Sequence, residues 1–206
     1  MTDHTPPSLR ERNRQLARNV VLDAAERLLR VDGSIDFSMR ALAAEAGVGF
    51  ATPFNHFGSK NAIMQALSAR VIDRMAERFR AEAPAGDAVD RVLAMTRIAA
   101  ALLLEQPEVY KAVVGSLGVA GPSPSAVMPK SRSLWALALA ETAGLAGDAR
   151  TTLASHLAFG FRGCLSFWIA GDIGDDDLTE TVRANATVCL LGFVDTARRE
   201  ELLASL

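Results

Sequence analysis

The chain has 206 residues, of which 50% are hydrophobic, and a formal net charge of −2 at pH 7. This composition is typical of a globular protein with a buried core, and it excludes general disorder, collagen-like repeats and a strongly basic chain. The two cysteines, Cys164 and Cys189, and the scattered histidines indicate no disulfide framework, no metal site and no cofactor.

Apolar residues recur at three- and four-residue spacing along the chain, which predicts an all-α protein without strands. Residues 1–9 are polar and are expected to form a flexible arm. The helices predicted after this arm lie at residues 16–31, 39–46, 50–56 and 59–82. Ser38 and Ser59 are typical helix N-caps, and Gly47 and Gly58 are typical residues at which a helix ends.

The second part of the chain begins with a predicted linker at residues 83–86. Residues 121–129, rich in proline and serine, are predicted to form a loop. The helices expected here lie at residues 87–106, 108–119, 131–143, 148–170 and 177–203. No signal peptide is visible, and the apolar runs are much shorter than the roughly 20 residues that cross a membrane, so we expect a cytoplasmic protein with no membrane partner.

The most informative segment is 38–60, in which two short helices joined at Gly47 form a helix-turn-helix pattern. Gly47 can adopt a left-handed conformation without strain, and Val48 would fill the corner between the helices. The second helix, 50–56, is too short to be stable alone, so its neighbours must hold it, as for a helix presented to a DNA groove.

The residue types around this segment suit contact with duplex DNA. Polar side chains can bind base edges, small or apolar ones can contact thymine methyl groups, and helix N-termini and cations can bind phosphate. The candidate DNA-binding residues are Ser38, Arg40, Gly49, Phe50, Ala51, Thr52, Phe54, Asn55, His56, Ser59 and Lys60. Arg10, Arg12, Arg14 and Arg18 would lie near the DNA backbone, whereas Phe57 is expected in the core.

The segment AGVGFATPFNHFGSK resembles the recognition segment of TetR-family transcriptional regulators. The matching residues are Ala46, Gly47, Val48, Thr52, Phe54, His56, Phe57, Ser59 and Lys60. Two positions depart from the family pattern. Phe54 stands where a tyrosine usually binds phosphate, and Pro53 replaces an aliphatic residue, so we expect a tightened or shifted start of this helix and an altered base preference.

The resemblance implies a helix-turn-helix domain at 10–58, a connecting helix at 59–82 and an effector-binding and dimerisation domain at 83–206. It further implies a homodimer that binds a palindromic operator, most simply as a repressor released by a small apolar effector. The last two long helices would form the dimer, with Gly160, Gly163, Cys164, Phe167, Leu191 and Val194 at the interface. Candidate residues of the ligand pocket are Met95, Tyr110, Trp135, His156 and Phe159.

Two alternatives remain at this point: a DNA-binding regulator without a small-molecule ligand and, more distantly, an all-helical enzyme. No catalytic motif supports the enzyme. The segment 47–49 lacks the third glycine and the preceding strand of a dinucleotide-binding motif. Asp175, Asp176 and Asp177 are interpreted as acidic residues at a helix N-terminus rather than as a metal site, and Cys164 as a buried apolar residue.

Overall fold

A computed structural model describes residues 8–32, 37–118, 125–140 and 147–206. Within these ranges the chain is helical and contains no strand, which confirms the predicted all-α class. The helices are α1 (Leu9–Asp32), α2 (Met39–Glu45), α3 (Ala51–Phe57), α4 (Lys60–Glu82), α5 (Ala88–Leu104), α6 (Pro107–Gly115), α7 (Val127–Ala138), α8 (Gly147–Ala170), α9 (Asp175–Leu190) and α10 (Thr196–Ala204). Residues 1–7 of the predicted arm lie outside the described residues.

Helices α1, α2 and α3 form a small N-terminal unit, called the head here, which rests on the start of α4. Its core is built from fully buried residues on the inner faces of α1 and α2, including Val21, Leu29 and Leu42. Helix α4 continues without interruption from the head into the second unit, where Val71, Met75 and Phe79 are buried. One rigid element is therefore shared by both parts of the molecule.

Helices α5 to α9, with the second half of α4, form a larger apolar unit, called the body here. The tightest neighbours are α8 and α9, α5 and α9, and α7 and α8. Trp135, Trp168, Met95 and Leu153 are almost completely buried in this unit. The body therefore supplies most of the hydrophobic stabilisation of the described chain, because such stabilisation scales with the apolar area removed from water.

Several predicted boundaries were wrong. Helix α1 begins at Leu9, within the predicted arm and well before residue 16. Helix α7 begins at Val127, inside the predicted loop, because the hydroxyl of Ser125 accepts a hydrogen bond from the Val127 N–H (3.2 Å). The predicted helix 177–203 is two helices, α9 and α10, with a turn containing Gly192 between them. Asp195 starts α10 because its carboxylate accepts a hydrogen bond from the N–H of Arg198 (2.9 Å).

Among the described helices, none combines the length and apolar character needed to span a membrane.

Candidate DNA-binding surface, subunit face and ligand cavity

The turn between α2 and α3 has the geometry that its sequence predicts. Gly47 adopts a left-handed conformation with φ of +64°. The N–H of Val48 donates to the Ala43 carbonyl (3.0 Å), and the N–H of Gly47 donates to the Ala44 carbonyl (3.1 Å). These two bonds satisfy the last carbonyls of α2 and direct the chain into α3. Half-buried Val48 packs against the core at this corner.

Helix α3 begins one residue later than the expected cap at Gly49. Phe50 is the residue before the helix, and the N–H of Thr52 bonds to the Gly49 carbonyl (2.8 Å), a tighter i to i−3 pattern. Pro53 then falls in the first turn, where its missing N–H costs nothing because that group has no partner within the helix. Pro53 is also buried, so it anchors the start of α3. The expected shift of the helix start is confirmed.

The outer face of α3 exposes a pair of aromatic rings. Phe50 is 59% exposed and Phe54 is 42% exposed, and their centroids lie 5.8 Å apart in an edge-to-face arrangement. The guanidinium of Arg40 on α2 lies 5.8 Å from the Phe50 centroid. Arg40 and these rings therefore form one continuous surface across α2 and α3.

Two cations that are expected near phosphate also contact the backbone and aromatic rings of the head. The Nη1 of Arg18 donates to the His56 carbonyl (2.5 Å), and its guanidinium lies 4.2 Å from the Phe57 centroid. The Nζ of Lys60 donates to the Phe37 carbonyl (2.9 Å) and lies 4.6 Å from the Phe37 ring. Both side chains therefore brace the helix-turn-helix from beneath, while Arg10, Arg12 and Arg14 stay exposed on α1.

The remaining candidate DNA-binding residues lie on α3, directly before it, or at the starts of α2 and α4. Gly49, Ala51 and Asn55 are exposed, and Thr52 and His56 are half-buried. The hydroxyls of Ser38 and Ser59 cap α2 and α4 by accepting bonds from the N–H groups of Ala41 (3.0 Å) and Ala62 (3.1 Å). A hydroxyl that accepts one bond can still donate another, so capping is compatible with a phosphate contact. Phe57 is half-buried and packs against the core, as predicted.

An ionic cluster joins the head to the body. Buried Glu26 on α1 pairs with Arg74 (3.2 Å) and Arg70 (3.4 Å) on α4, and Arg70 also pairs with Asp23. The second guanidinium nitrogen of Arg74 donates to the hydroxyl of Tyr110 on α6 (3.3 Å). Burial raises the pKa of Tyr110, so its hydroxyl stays protonated near neutral pH. The cluster fixes the orientation of the head relative to α4 and α6.

The body contains an apolar cavity of about 280 Å³ between α4, α6, α7 and α8. Its lining residues include Val71, Met75, Leu134 and Phe161, and its polar members are three serines and Arg162. Because α4 contributes to the wall, a molecule bound in the cavity would contact the same helix that supports the head.

Only one of the five predicted pocket residues lines this cavity, namely Phe159. Met95 and Trp135 are buried in the core, and the hydroxyl of Tyr110 accepts a hydrogen bond from Arg74. His156 is exposed on α8, with its ring edge-on to Phe159 at 6.0 Å. Of the two candidates on α8, Phe159 lines the cavity and His156 does not, and the ligand-binding role of both stays a prediction.

Helices α8 and α9 carry an exposed apolar face. Phe167 is 58% exposed, and Phe159, Val188 and Phe193 are similarly uncovered. Gly163, Cys164, Leu191 and Val194 are half-buried on these helices or directly after them. Burial raises the pKa of Cys164 and Cys189, so both thiols remain protonated and behave as small apolar groups.

The two glycines predicted at the interface play different parts. A Cβ at Gly160 would lie 2.4 Å from the side-chain amide of Asn185, so this glycine permits α8 and α9 of one chain to approach closely. A Cβ at Gly163 would meet no atom within 4 Å. The missing side chain of Gly160 thus serves packing within the chain, whereas the space over Gly163 is open. The place of both glycines at a subunit interface stays a prediction.

Asp175 occupies the first turn of α9, as the sequence predicts for a helix N-terminus. Its carboxylate accepts hydrogen bonds from the indole N–H of Trp168 (2.7 Å) and is paired with Lys111 (2.8 Å). These partners hold the pKa of Asp175 below its usual value. The residue thus ties α9 to α6 and α8.

Comparison with known families gives a match to the model for bacterial regulatory proteins of the tetR family over residues 21–67. The matched segment contains the second half of α1, both helices of the helix-turn-helix and the start of α4. The resemblance seen in the sequence is thus confirmed on the elements that carry the DNA-binding geometry. Among curated proteins, none matches the chain.

Solved structures share the fold over most of the chain. A TetR transcriptional regulator from Rhodococcus sp. RHA1 is 23% identical with a TM-score of 0.74, covering 87% of this chain and 99% of its own. Thermus thermophilus FadR, a TetR-family repressor in complex with lauroyl-CoA, is 21% identical with a TM-score of 0.70, covering 86% and 95%. A gamma-butyrolactone receptor is 16% identical with a TM-score of 0.51, covering 93% and 95%. These matches show the fold that the chain shares with the three structures.

Proposed function

We propose that this chain, which carries the DNA-binding domain of the TetR family and the fold of its transcriptional regulators, is a cytoplasmic repressor that binds a palindromic operator as a homodimer and is released by a small apolar effector. The observation that carries this proposal is α3 itself. It is a short helix whose ends are fixed by Pro53 and Arg18 while Phe50, Phe54 and Asn55 face solvent. A rigid, exposed helix of this length fits the major groove of B-DNA.

The aromatic pair on α3 suggests how the surface differs from its relatives. Phe54 has no hydroxyl to bind phosphate, and its ring instead packs on Phe50. We expect the two rings to contact thymine methyl groups or deoxyribose, with Arg40 beside them on phosphate or a guanine edge. Thr52 and Asn55 remain the candidates for base-edge hydrogen bonds.

A dimer is favoured by the apolar face of α8 and α9. Clustered exposed aromatic residues such as Phe167 and Phe193 are typical of a surface that another protein covers. One α3 can read only a few base pairs, whereas two related by a two-fold axis read half-sites about 34 Å apart. A second copy of the chain would therefore cover the exposed apolar face and also supply the second α3 that specific DNA binding needs.

Release by an effector is supported by the position of the cavity. Val71 and Met75 of α4 line it, and the same helix begins beneath α3 at Ser59. An effector that favours one position of α4 would shift the spacing of the two heads, and DNA would favour the other. Thermus thermophilus FadR holds lauroyl-CoA, and the cavity makes a ligand-responsive regulator the better proposal than one without a ligand.

Fluorescence anisotropy with DNA from upstream of the protein's own gene tests the DNA-binding proposal. We expect Asn55→Ala or Thr52→Ala to weaken specific binding by about tenfold or more while binding to random DNA is retained, because these side chains would read bases. Arg10→Ala, an exposed cation on α1, should weaken both equally and lower the salt dependence. Equal losses on both DNAs for all three variants would contradict the assignment of α3 as the reading helix.

Sedimentation velocity tests the dimer. The wild-type chain should sediment as a dimer at micromolar concentration, and Phe167→Glu should yield a monomer because a charge would be buried at the interface. Glu201→Gln on exposed α10 is a control that changes one surface charge outside this face. A wild-type chain that stays monomeric at high concentration would contradict the homodimer.

A further inference from the structure

The lining of the cavity in the body is mostly apolar and contains a single charged residue among the described residues. Fourteen of the eighteen described residues that line it are apolar, and Arg162 on α8 is the one charged residue among them. Ser68 on α4, which is buried, and Ser131 on α7 add hydroxyl groups to the wall. An apolar body with one cationic group and a few hydroxyls is the lining expected for a ligand with an apolar body and one anionic end.

Arg162 differs from the other partly buried arginines of the described chain. Arg70 and Arg74 pair with Glu26, and Arg91 donates to the carbonyls of Leu137 and Ala138. No hydrogen bond or ion pair of the Arg162 guanidinium is found among the described residues, although its Nη1 is covered by protein. Burial lowers the pKa of this guanidinium, which remains charged at neutral pH.

A covered N–H group without an acceptor is costly, because it has lost its water without gaining a protein partner. Arg162 belongs to the wall of the cavity, so an anionic group bound there would lie beside the one charged residue among the described lining residues. A bound carboxylate would supply the acceptor that Nη1 lacks among the described residues.

We propose that this cavity binds an amphipathic carboxylate, with its apolar chain among the residues of α4, α7 and α8 and its carboxylate bound by Arg162. The volume corresponds to about nine water-sized groups, which suits an aliphatic acid of roughly eight carbons. Bidentate pairing of guanidinium with carboxylate supplies both orientation and selection for charge. This inference rests on the proposed function for the ligand's role as an effector.

The test is calorimetric titration of the full-length protein, without DNA, with octanoate and with octanamide, its neutral analogue of the same shape. We expect octanoate to bind about tenfold or more tightly than octanamide. Arg162→Met should abolish this preference by weakening octanoate alone, Arg162→Lys should retain part of it, and Arg80→Met, at an exposed arginine of α4, should leave it unchanged.

A change in tryptophan fluorescence gives an independent measure of ligand binding in the cavity. Trp135 packs against Phe161 of the cavity wall, with ring centroids 5.5 Å apart. Circular dichroism confirms that each variant is folded. Equal affinities for octanoate and octanamide, preference for octanoate that survives in Arg162→Met, or failure of hexanoate, octanoate and decanoate all to bind would each overturn the proposal.

The anion site and the regulatory function fail in distinguishable ways. If octanoate binds through Arg162 while upstream DNA is not bound, the site stands and the proposed repressor function falls. If upstream DNA is bound specifically but the carboxylate series is not bound, the DNA-binding function stands and the anion site falls.

Discussion

The head and the body are held together by different forces. In the head, side chains bonded to backbone carbonyls supplement a small core, as Arg18 does at His56 and Lys60 does at Phe37. In the body, large apolar side chains such as Trp135, Trp168 and Ile98 are packed in a continuous interior. The head thus depends on directional contacts that fix a surface, and the body depends on burial that tolerates many residue choices.

This contrast explains why the two regions carry sequence information so differently. A surface of the kind proposed to fit DNA fixes residue types at set positions, such as Gly47 in its left-handed turn and the caps at Ser38 and Ser59. A packed interior requires apolar residues of suitable total volume, which many sequences supply. The family match over residues 21–67 covers the second half of α1, α2, α3 and the start of α4.

The largest effect is expected from the core of the body. Ile98→Ala removes a side chain with no exposed surface and should lower the free energy of unfolding by about 2–5 kcal/mol, because it leaves a cavity. Urea denaturation measures this loss. Val31→Ala, at a largely exposed position, should change stability by less than about 0.5 kcal/mol. Similar losses at both positions would mean that the body is not held by burial.

A smaller but more specific effect is expected at the brace of the head. Arg18→Met removes the bond to the His56 carbonyl and the contact with Phe57, at a cost of about 1.5–3 kcal/mol. Operator affinity should fall even under conditions in which the variant is fully folded, because α3 is no longer held in position. The loss of global stability alone would not lower the affinity there. Arg14→Met, at an exposed position of α1, is the control. Unchanged hydrogen exchange in α3 would contradict a bracing role.

The contact between α8 and α9 can be probed through two glycines of one helix. Gly160→Ala forces the side chain of Asn185 to move and should destabilise the chain by about 1–2 kcal/mol. A Cβ at Gly163 meets no other atom of the chain within 4 Å, so Gly163→Ala should leave the stability of the subunit unchanged or raise it slightly. Thermal unfolding measures both changes, and Asn185→Ala should rescue Gly160→Ala. A loss of dimer affinity in Gly163→Ala alone would place that position at the subunit face.

The smallest effect is expected at Asp175, on the surface of the body. Its pKa is lowered in the folded state, so its stabilising contribution is present above its unfolded pKa and is lost as the pH falls through the folded value. Asp175→Asn should therefore cost a few tenths to about 1 kcal/mol at neutral pH and nothing in strong acid.

Urea unfolding at several pH values between neutrality and pH 3 measures the pH dependence at Asp175. Asp176→Asn, at the next position of the same helical turn, should show a weaker effect because Lys111 and Trp168 bond to Asp175. A difference between wild type and Asp175→Asn that is independent of pH would contradict the ionic contribution.

The fold class, the caps of α2 and α4 and the turn at Gly47 were predictable because each depends on local chemistry. The roles of Arg18 and Lys60 were not, since both act on carbonyls that only the folded head brings near. Arg162 escaped attention for the same reason: periodicity places it on α8 but does not show that its guanidinium ends without a partner beside a cavity. A signal for the break before α10 was present, because Gly192 precedes the helix-capping Asp195.

The continuity of α4 makes it a lever arm. From Met75 at the cavity to Ser59 at the head is about 24 Å along the helix axis. A tilt of about 5° at the cavity end would displace the far end by roughly 2 Å, and in a symmetric pair the two displacements would add to about 4 Å. Such a change is small for the interior but large for the two α3 helices of the proposed dimer, which would enter successive grooves of one DNA duplex.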